Sequence, residues 1–182
     1  MGRLMLDGVR DSSRSVRGMI FRTICALILL SVSFGTVVAA EEQLRVEALN
    51  HYWEKVSKAI GSGDLEGYRA TCHPEAVLVS GPKKTSLPLA DALVRWKPEF
   101  DATKAGTRTS KLEFRLSQRY GDETTAHESG IFLYSFRKEG AELVKEYIFF
   151  EALLVKREGQ WLLVMEYQKS RATPEEWETL KK

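Results

Sequence analysis

The sequence is poor in the residues that commonly mark a reactive centre. It has two cysteines, Cys25 and Cys72, and three histidines, His51, His73 and His127. The histidines fall on separate expected elements without ligand spacing, which argues against a histidine metal centre. Neither cysteine is followed by a triad-like set of partners. His73 adjoins Cys72, but chain neighbours rarely face each other at a turn, so Cys72 reads as a small core residue. Charge of one sign is also missing, with 27 basic residues against 25 acidic ones. That balance removes the electrostatic reason to expect nucleic acid or an anionic membrane as partner. There is no internal repeat or low-complexity segment, and no metal or cofactor is expected.

The single long apolar run, Thr23 to Ala40, follows a segment carrying Arg3, Arg10, Arg14, Arg17 and Arg22. It closes on Val38-Ala39-Ala40, and Glu41-Glu42 open a polar stretch. A basic start, an apolar middle and small residues at the end form a secretory signal peptide over residues 1–40. The alternative is a membrane anchor, but Ser31, Ser33, Gly35 and Thr36 interrupt the run. Periplasmic or extracellular localisation is therefore expected, with no stable membrane anchor after cleavage. Only Cys72 then remains, so an internal disulfide is excluded and the core must hold the domain.

After residue 40 the period is helical. Leu49, Tyr52, Trp53, Val56, Ala59 and Ile60 share one face of a long helix, which Gly61 and Gly63 end. Asp64 suits the N-cap of a short helix carrying Leu65, Tyr68 and Cys72. His73-Pro74 closes it, Ala76 to Ser80 reads as a strand, and Gly81-Pro82 turns the chain. A third helix from Pro88 carries Leu89, Leu93 and Trp96, with Pro98 ending or kinking it.

From Thr107 the period is two. Gly121-Asp122, Glu139-Gly140 and Glu158-Gly159 divide residues 107–170 into four long antiparallel strands. Thr173-Pro174-Glu175-Glu176 is a capping box opening a terminal helix with Trp177 and Leu180. Helices first and strands after give an α+β fold, with one sheet face packed on the helices.

If each turn has an even number of residues, Arg157 faces Gln160, Glu151 faces Glu166, Glu128 faces Glu151, and Arg115 faces Glu128. One face then holds Phe114, His127, Ile131, Phe150, Leu163, Met165 and Tyr167, and it packs on the helices. The other holds Arg115, Glu128, Phe132, Tyr134, Tyr147, Phe149, Glu151 and Glu166. Its aromatics are too many for a bare surface, so it is the expected homodimer interface. On this register Trp53, Tyr68, Trp96, His127, Met165 and Tyr167 would line an apolar ligand pocket. His127 is the candidate general base and Tyr167 its hydrogen-bonding partner; the alternative is a core histidine satisfied by a hydroxyl.

Trp53, Gly63-Asp64, His73-Pro74-Glu75-Ala76 and Gly159-Gln160-Trp161-Leu162-Leu163-Val164, in that order, resemble the nuclear transport factor 2-like superfamily in its SnoaL-like branch. The likeness spans roughly residues 43–171. It implies a cystatin-like α+β roll: a curved antiparallel sheet wrapped into a cone on three N-terminal helices, with a pocket at its open end and frequent dimers. The domain is accordingly expected over residues 41–171, with residues 172–182 as a short helix or tail. Met165 and Tyr167 stand where many members place histidines, so their chemistry does not transfer. The resulting expectation is a dimeric exported domain binding a small hydrophobic or aromatic molecule. The alternatives are a cofactor-free isomerase, cyclase or dehydratase using His127, and a purely structural association module.

Overall fold

A computed structural model describes residues 40–180. The expected signal peptide lies outside the described residues except for Ala40. Of the described residues, 43–180 cluster in one compact unit.

Helix α1 covers residues 40–62 and buries Leu49, Tyr52, Trp53, Val56 and Ala59. Its period-3.6 stripe faces the sheet. Gly63 ends it at φ +68, and a Cβ there would strike the backbone of Phe100 and Lys104. Only glycine allows that positive φ together with so close a helix approach. Asp64 caps α2 (Leu65–Arg69), accepting from the Gly67 amide at 2.9 Å. The chain continues through β1 (Cys72–Ser80), β2 (Thr85–Pro88) and α3 (Leu89–Lys104). Four long strands come next: β3 (Arg108–Gly121), β4 (Thr125–Lys138), β5 (Val144–Arg157) and β6 (Gln160–Arg171). Helix α4 (Pro174–Thr179) ends the described chain. Its capping box has Thr173 Oγ1 accepting from the Glu176 amide and Glu176 Oε2 accepting from the Thr173 amide.

The fold is α+β, with the six-stranded sheet ordered β2-β1-β6-β5-β4-β3. Three features differ from the sequence reading. The sheet is mixed, because β1 runs parallel to β6. His73-Pro74 lies inside β1 instead of closing a helix, at a stretch where the β1–β6 register shifts. Of the two alternatives for Pro98, ending the helix is excluded, because Pro98 sits inside α3, which continues to Lys104.

The largest difference is register. The β4–β5 loop, residues 139–143, is odd in number, whereas Gly121 pairs with Ala126 across a four-residue β3–β4 connection, and the shift in that pair comes at Ser117, the extra residue between the Leu116–Gly130 and Gln118–Ser129 pairs. The Ser117 bulge and the odd β4–β5 loop each shift pairing by one, and a one-residue shift turns a strand over. Glu128 therefore pairs with Ala152 rather than Glu151. The β5–β6 turn keeps the expected two-residue form, with Glu158 at φ 50 and Gly159 at φ 78, so Arg157 faces Gln160. A bulge then intervenes: Leu154 pairs with Leu163 but Leu153 with Met165, which leaves Val164 as the extra residue. That insertion swings Glu166 to the helix side, and re-aiming a side chain is a recurrent use of bulges.

Consequently Glu128, Phe132, Tyr134 and Glu166, expected at a dimer interface, face inward, while His127, Met165 and Tyr167, expected in the pocket, face outward. Arg115, Tyr147, Phe149 and Glu151 remain on the outer face. There α4 covers part of the sheet, with Trp177 packed among Ile131, Leu133, Tyr147 and Phe149. Arg115 fastens it, donating to the Trp177 and Leu180 carbonyls at 2.7 and 3.2 Å with its guanidinium over the Trp177 ring.

Candidate functional site

Between the helices and the inner sheet face lies a cavity of about 380 Å³. Its walls are aromatic. Trp53 from α1 meets Phe114 from β3 at 4.4 Å between ring centroids. Phe150 from β5 lies 5.6 Å from Trp53, 5.5 Å from Phe114 and 5.7 Å from Phe132. On the helix side, Tyr68 stands 6.3 Å from Trp96 and 5.8 Å from Phe100. These edge-to-face and tilted contacts suit the ring quadrupoles and fix the wall positions.

Polar groups gather at two places on this lining. On β6, Glu166 faces the cavity and accepts from Gln168 Nε2 at 2.7 Å. Burial pushes its carboxyl above the ordinary 4.5, and the Gln168 bond only partly opposes that. Burial likewise holds the hydroxyls of Tyr52 and Tyr68 well above 10, and the charge of nearby Glu166 adds to the effect. Both hydroxyls therefore stay protonated and able to donate. The Cys72 thiol is pushed up to about 12 by burial, leaving it inert as a nucleophile at neutral pH.

The second polar place is the rim. The Arg108 side chain, 5 % exposed, donates from Nε to Ser110 Oγ at 3.2 Å and from Nη2 to the Tyr134 hydroxyl at 2.9 Å. Its guanidinium lies 3.8 Å from the Phe136 ring centre and 3.6 Å from Glu99 Oε2. Ser110 is held in turn by Thr103 at 2.9 Å.

A further polar cluster closes the opposite end of the inner face. Glu128 is 0 % exposed. Its carboxylate accepts from Trp53 Nε1 at 2.7 Å and from Arg119 Nε and Nη2 at 2.9 and 3.0 Å. Arg119 Nη1 donates to Asn50 Oδ1 at 2.6 Å, which ties β3 to α1. Both carboxylate oxygens of Glu128 are thus met, as a buried charge requires.

Of the six residues expected around a pocket, Trp53, Tyr68 and Trp96 line the cavity; His127, Met165 and Tyr167 do not. His127 stacks on Tyr120 outside, with Nε2 3.4 Å from Glu151 Oε2. Glu151 also accepts from Lys169 at 2.6 Å, and these two partners hold its carboxyl below the ordinary range. The His127–Tyr167 acid/base pair is therefore withdrawn: neither side chain reaches the enclosed space. Sequence reasoning missed Arg108, Ser110 and Gln168 as lining residues and put Glu166 on the wrong face. Among the described residues, no group of three or more His, Cys, Asp or Glu could hold a metal, and no helix is long and apolar enough to cross a membrane.

No family model matches the chain, and no curated protein matches it significantly. Solved structures do match in fold. A nuclear transport factor 2-like protein of unknown function from Shewanella oneidensis superposes with a TM-score of 0.53 at 14 % identity, covering 68 % of this chain and 97 % of its own. A ketosteroid isomerase-like protein from Erwinia carotovora gives 0.52 at 14 %, covering 70 % and 96 %. A putative calcium/calmodulin-dependent kinase II association domain from Exiguobacterium sibiricum gives 0.56 at 11 %, covering 71 % and 95 %.

Proposed function

The chain has the nuclear transport factor 2-like fold, and from that premise we propose that it is a small-molecule binding domain. Its ligand is a compact apolar or aromatic compound held between helices and sheet. The observation that carries this reading is the aromatic cavity of about 380 Å³ with the half-buried carboxyl of Glu166 turned into it. That volume lies in the range of ordinary ligand sites, and a few convergent polar groups in an apolar wall give orientation. Tryptophan fluorescence tests it, since Trp53 and Trp96 line the space. Small aromatic compounds change the emission of the wild type and not of Ile148→Trp, which fills the cavity. Equal responses from both proteins count against the reading.

A second reading rests on the same carboxyl. A raised glutamate near the protonated Tyr52 and Tyr68 hydroxyls has the makings of a proton-transfer site, with the carboxylate as base and a hydroxyl steadying the developing oxyanion. Deuterium exchange at the α-carbon of small cyclic ketones, catalysed by the wild type and lost in Glu166→Gln, supports it. Exchange no faster than buffer removes it.

Self-association belongs to the proposal too. Tyr120, His127, Leu153, Met165 and Val77 pair in sequence across β3, β4, β5, β6 and β1 on the outer face, away from α4. Tyr120 is 60 % exposed and Leu153 40 %. A second copy covering this row would bury them. Sedimentation then gives a dimer for the wild type and a monomer for Leu153→Glu. Action outside the cytoplasm follows from the leader reading, and N-terminal sequencing of protein recovered from an exporting host tests it.

A further inference from the structure

The charges on the cavity wall narrow the ligand class. Three carboxylates line the space, Glu99, Glu146 and Glu166, against one cationic side chain, Arg108. Arg108 is already engaged by Ser110, Tyr134, Glu99 and the Phe136 face. An anionic ligand would meet an occupied guanidinium and three like charges.

Glu166 is placed differently. Tyr52 reaches it electrostatically from α1, Tyr68 from α2 and Cys72 from β1. Gln168 is its hydrogen-bonding neighbour on β6. None of these groups carries positive charge. A carboxylate drawn partly out of water without a counter-ion is costly, and a cation brought beside it recovers Coulomb energy that water would otherwise screen. The walls suit the same visitor, because the negative ring faces of Trp, Tyr and Phe attract an ammonium carrying apolar groups.

We infer that the cavity selects a cation, an apolar amine or quaternary ammonium compound, whose charge lies among the aromatic rings and is met by Glu166. This rests on the cavity being the binding site. The acid–base sign follows from the carboxyl. A cation favours the ionised form, so its binding releases the proton Glu166 holds, and affinity climbs with pH until Glu166 is ionised in the free protein.

Three probes of similar size test the charge alone: benzyltrimethylammonium, its neutral isostere neopentylbenzene, and phenylacetate. Binding is read from tryptophan emission of the purified protein between pH 5 and 8. The cation is expected to bind roughly tenfold tighter than the neutral isostere, the equivalent of one good cation–π contact with its paired charge. Glu166→Gln lowers that preference and removes its pH dependence while still binding neopentylbenzene; Glu166→Asp, which keeps the charge, keeps the preference. If neopentylbenzene or phenylacetate binds as well as the cation, the inference is overturned and the cavity reading stands. If none of the three binds at millimolar concentration, both are overturned.

Discussion

Two glutamates on the inner face of one sheet have opposite surroundings. Glu128, at the closed end, is met by an indole N–H and both arms of a guanidinium. Glu166, three strands from β3 on β6, has one amide from Gln168 and an open cavity in front of it. The first arrangement is what a carboxylate needs when its task is to hold elements together. The second leaves electrostatic demand unmet, which a structure keeps at a cost unless something else meets it. The comparison separates a structural end from a receptive one within a single layer of side chains.

Breaking the paired end gives the largest expected effect. Arg119→Met strands a buried carboxylate and lowers stability by about 3–5 kcal/mol in urea unfolding. Adding Glu128→Leu to that variant restores much of the loss, because two apolar groups replace the pair. If the single variant loses nothing, the closed end is solvated and the contrast fails. Trp53→Phe keeps the aromatic wall and removes one donor to the carboxylate; the expected loss is about 1.5–3 kcal/mol.

Glu166→Gln is the smallest change, within about 1 kcal/mol below pH 4.5, where it replaces a protonated carboxyl by a neutral isostere. The informative quantity is its pH dependence. Below the ordinary carboxyl value of 4.5, Glu166 is protonated in folded and unfolded chains alike. As pH rises above that value the unfolded chain releases its proton first, so the wild type loses stability until pH passes the raised folded value. Glu166→Gln lacks this loss, so the variant gains on the wild type from pH 5 to pH 8 in thermal unfolding. A wild type that gains on the variant over that window contradicts the placement of Glu166.

The same contrast marks what was legible in the residues. Trp53, Tyr68 and Trp96 fall where helical periodicity puts them, because a helix face follows from spacing alone. The capping box at Thr173 and the two-residue turn at Glu158-Gly159 are local chemistry and read directly. Strand faces are not local. The odd loop at 139–143 looks like an ordinary turn and Ser117 like an ordinary strand residue, yet each shifts the pairing by one. The bulge at Val164 has no marker in its own residue type, and it alone carries Glu166 inward and leaves Met165 and Tyr167 outside. Parity of the turns puts His127 inside, and parity is what one residue of loop length at 139–143, or one bulged residue at Ser117, overturns. The parallel pairing of β1 with β6 depends on a contact between distant segments and leaves no periodic signal either.

The most direct test of the account is the titration of the Glu166 carboxyl, followed by carbon-13 NMR and assigned by its disappearance in Glu166→Gln. The account predicts a midpoint above 4.5 in the free protein, falling when benzyltrimethylammonium is added. A midpoint at or below the ordinary carboxyl value would mean that Glu166 is already solvated or paired, and the distinction between the two ends would be lost.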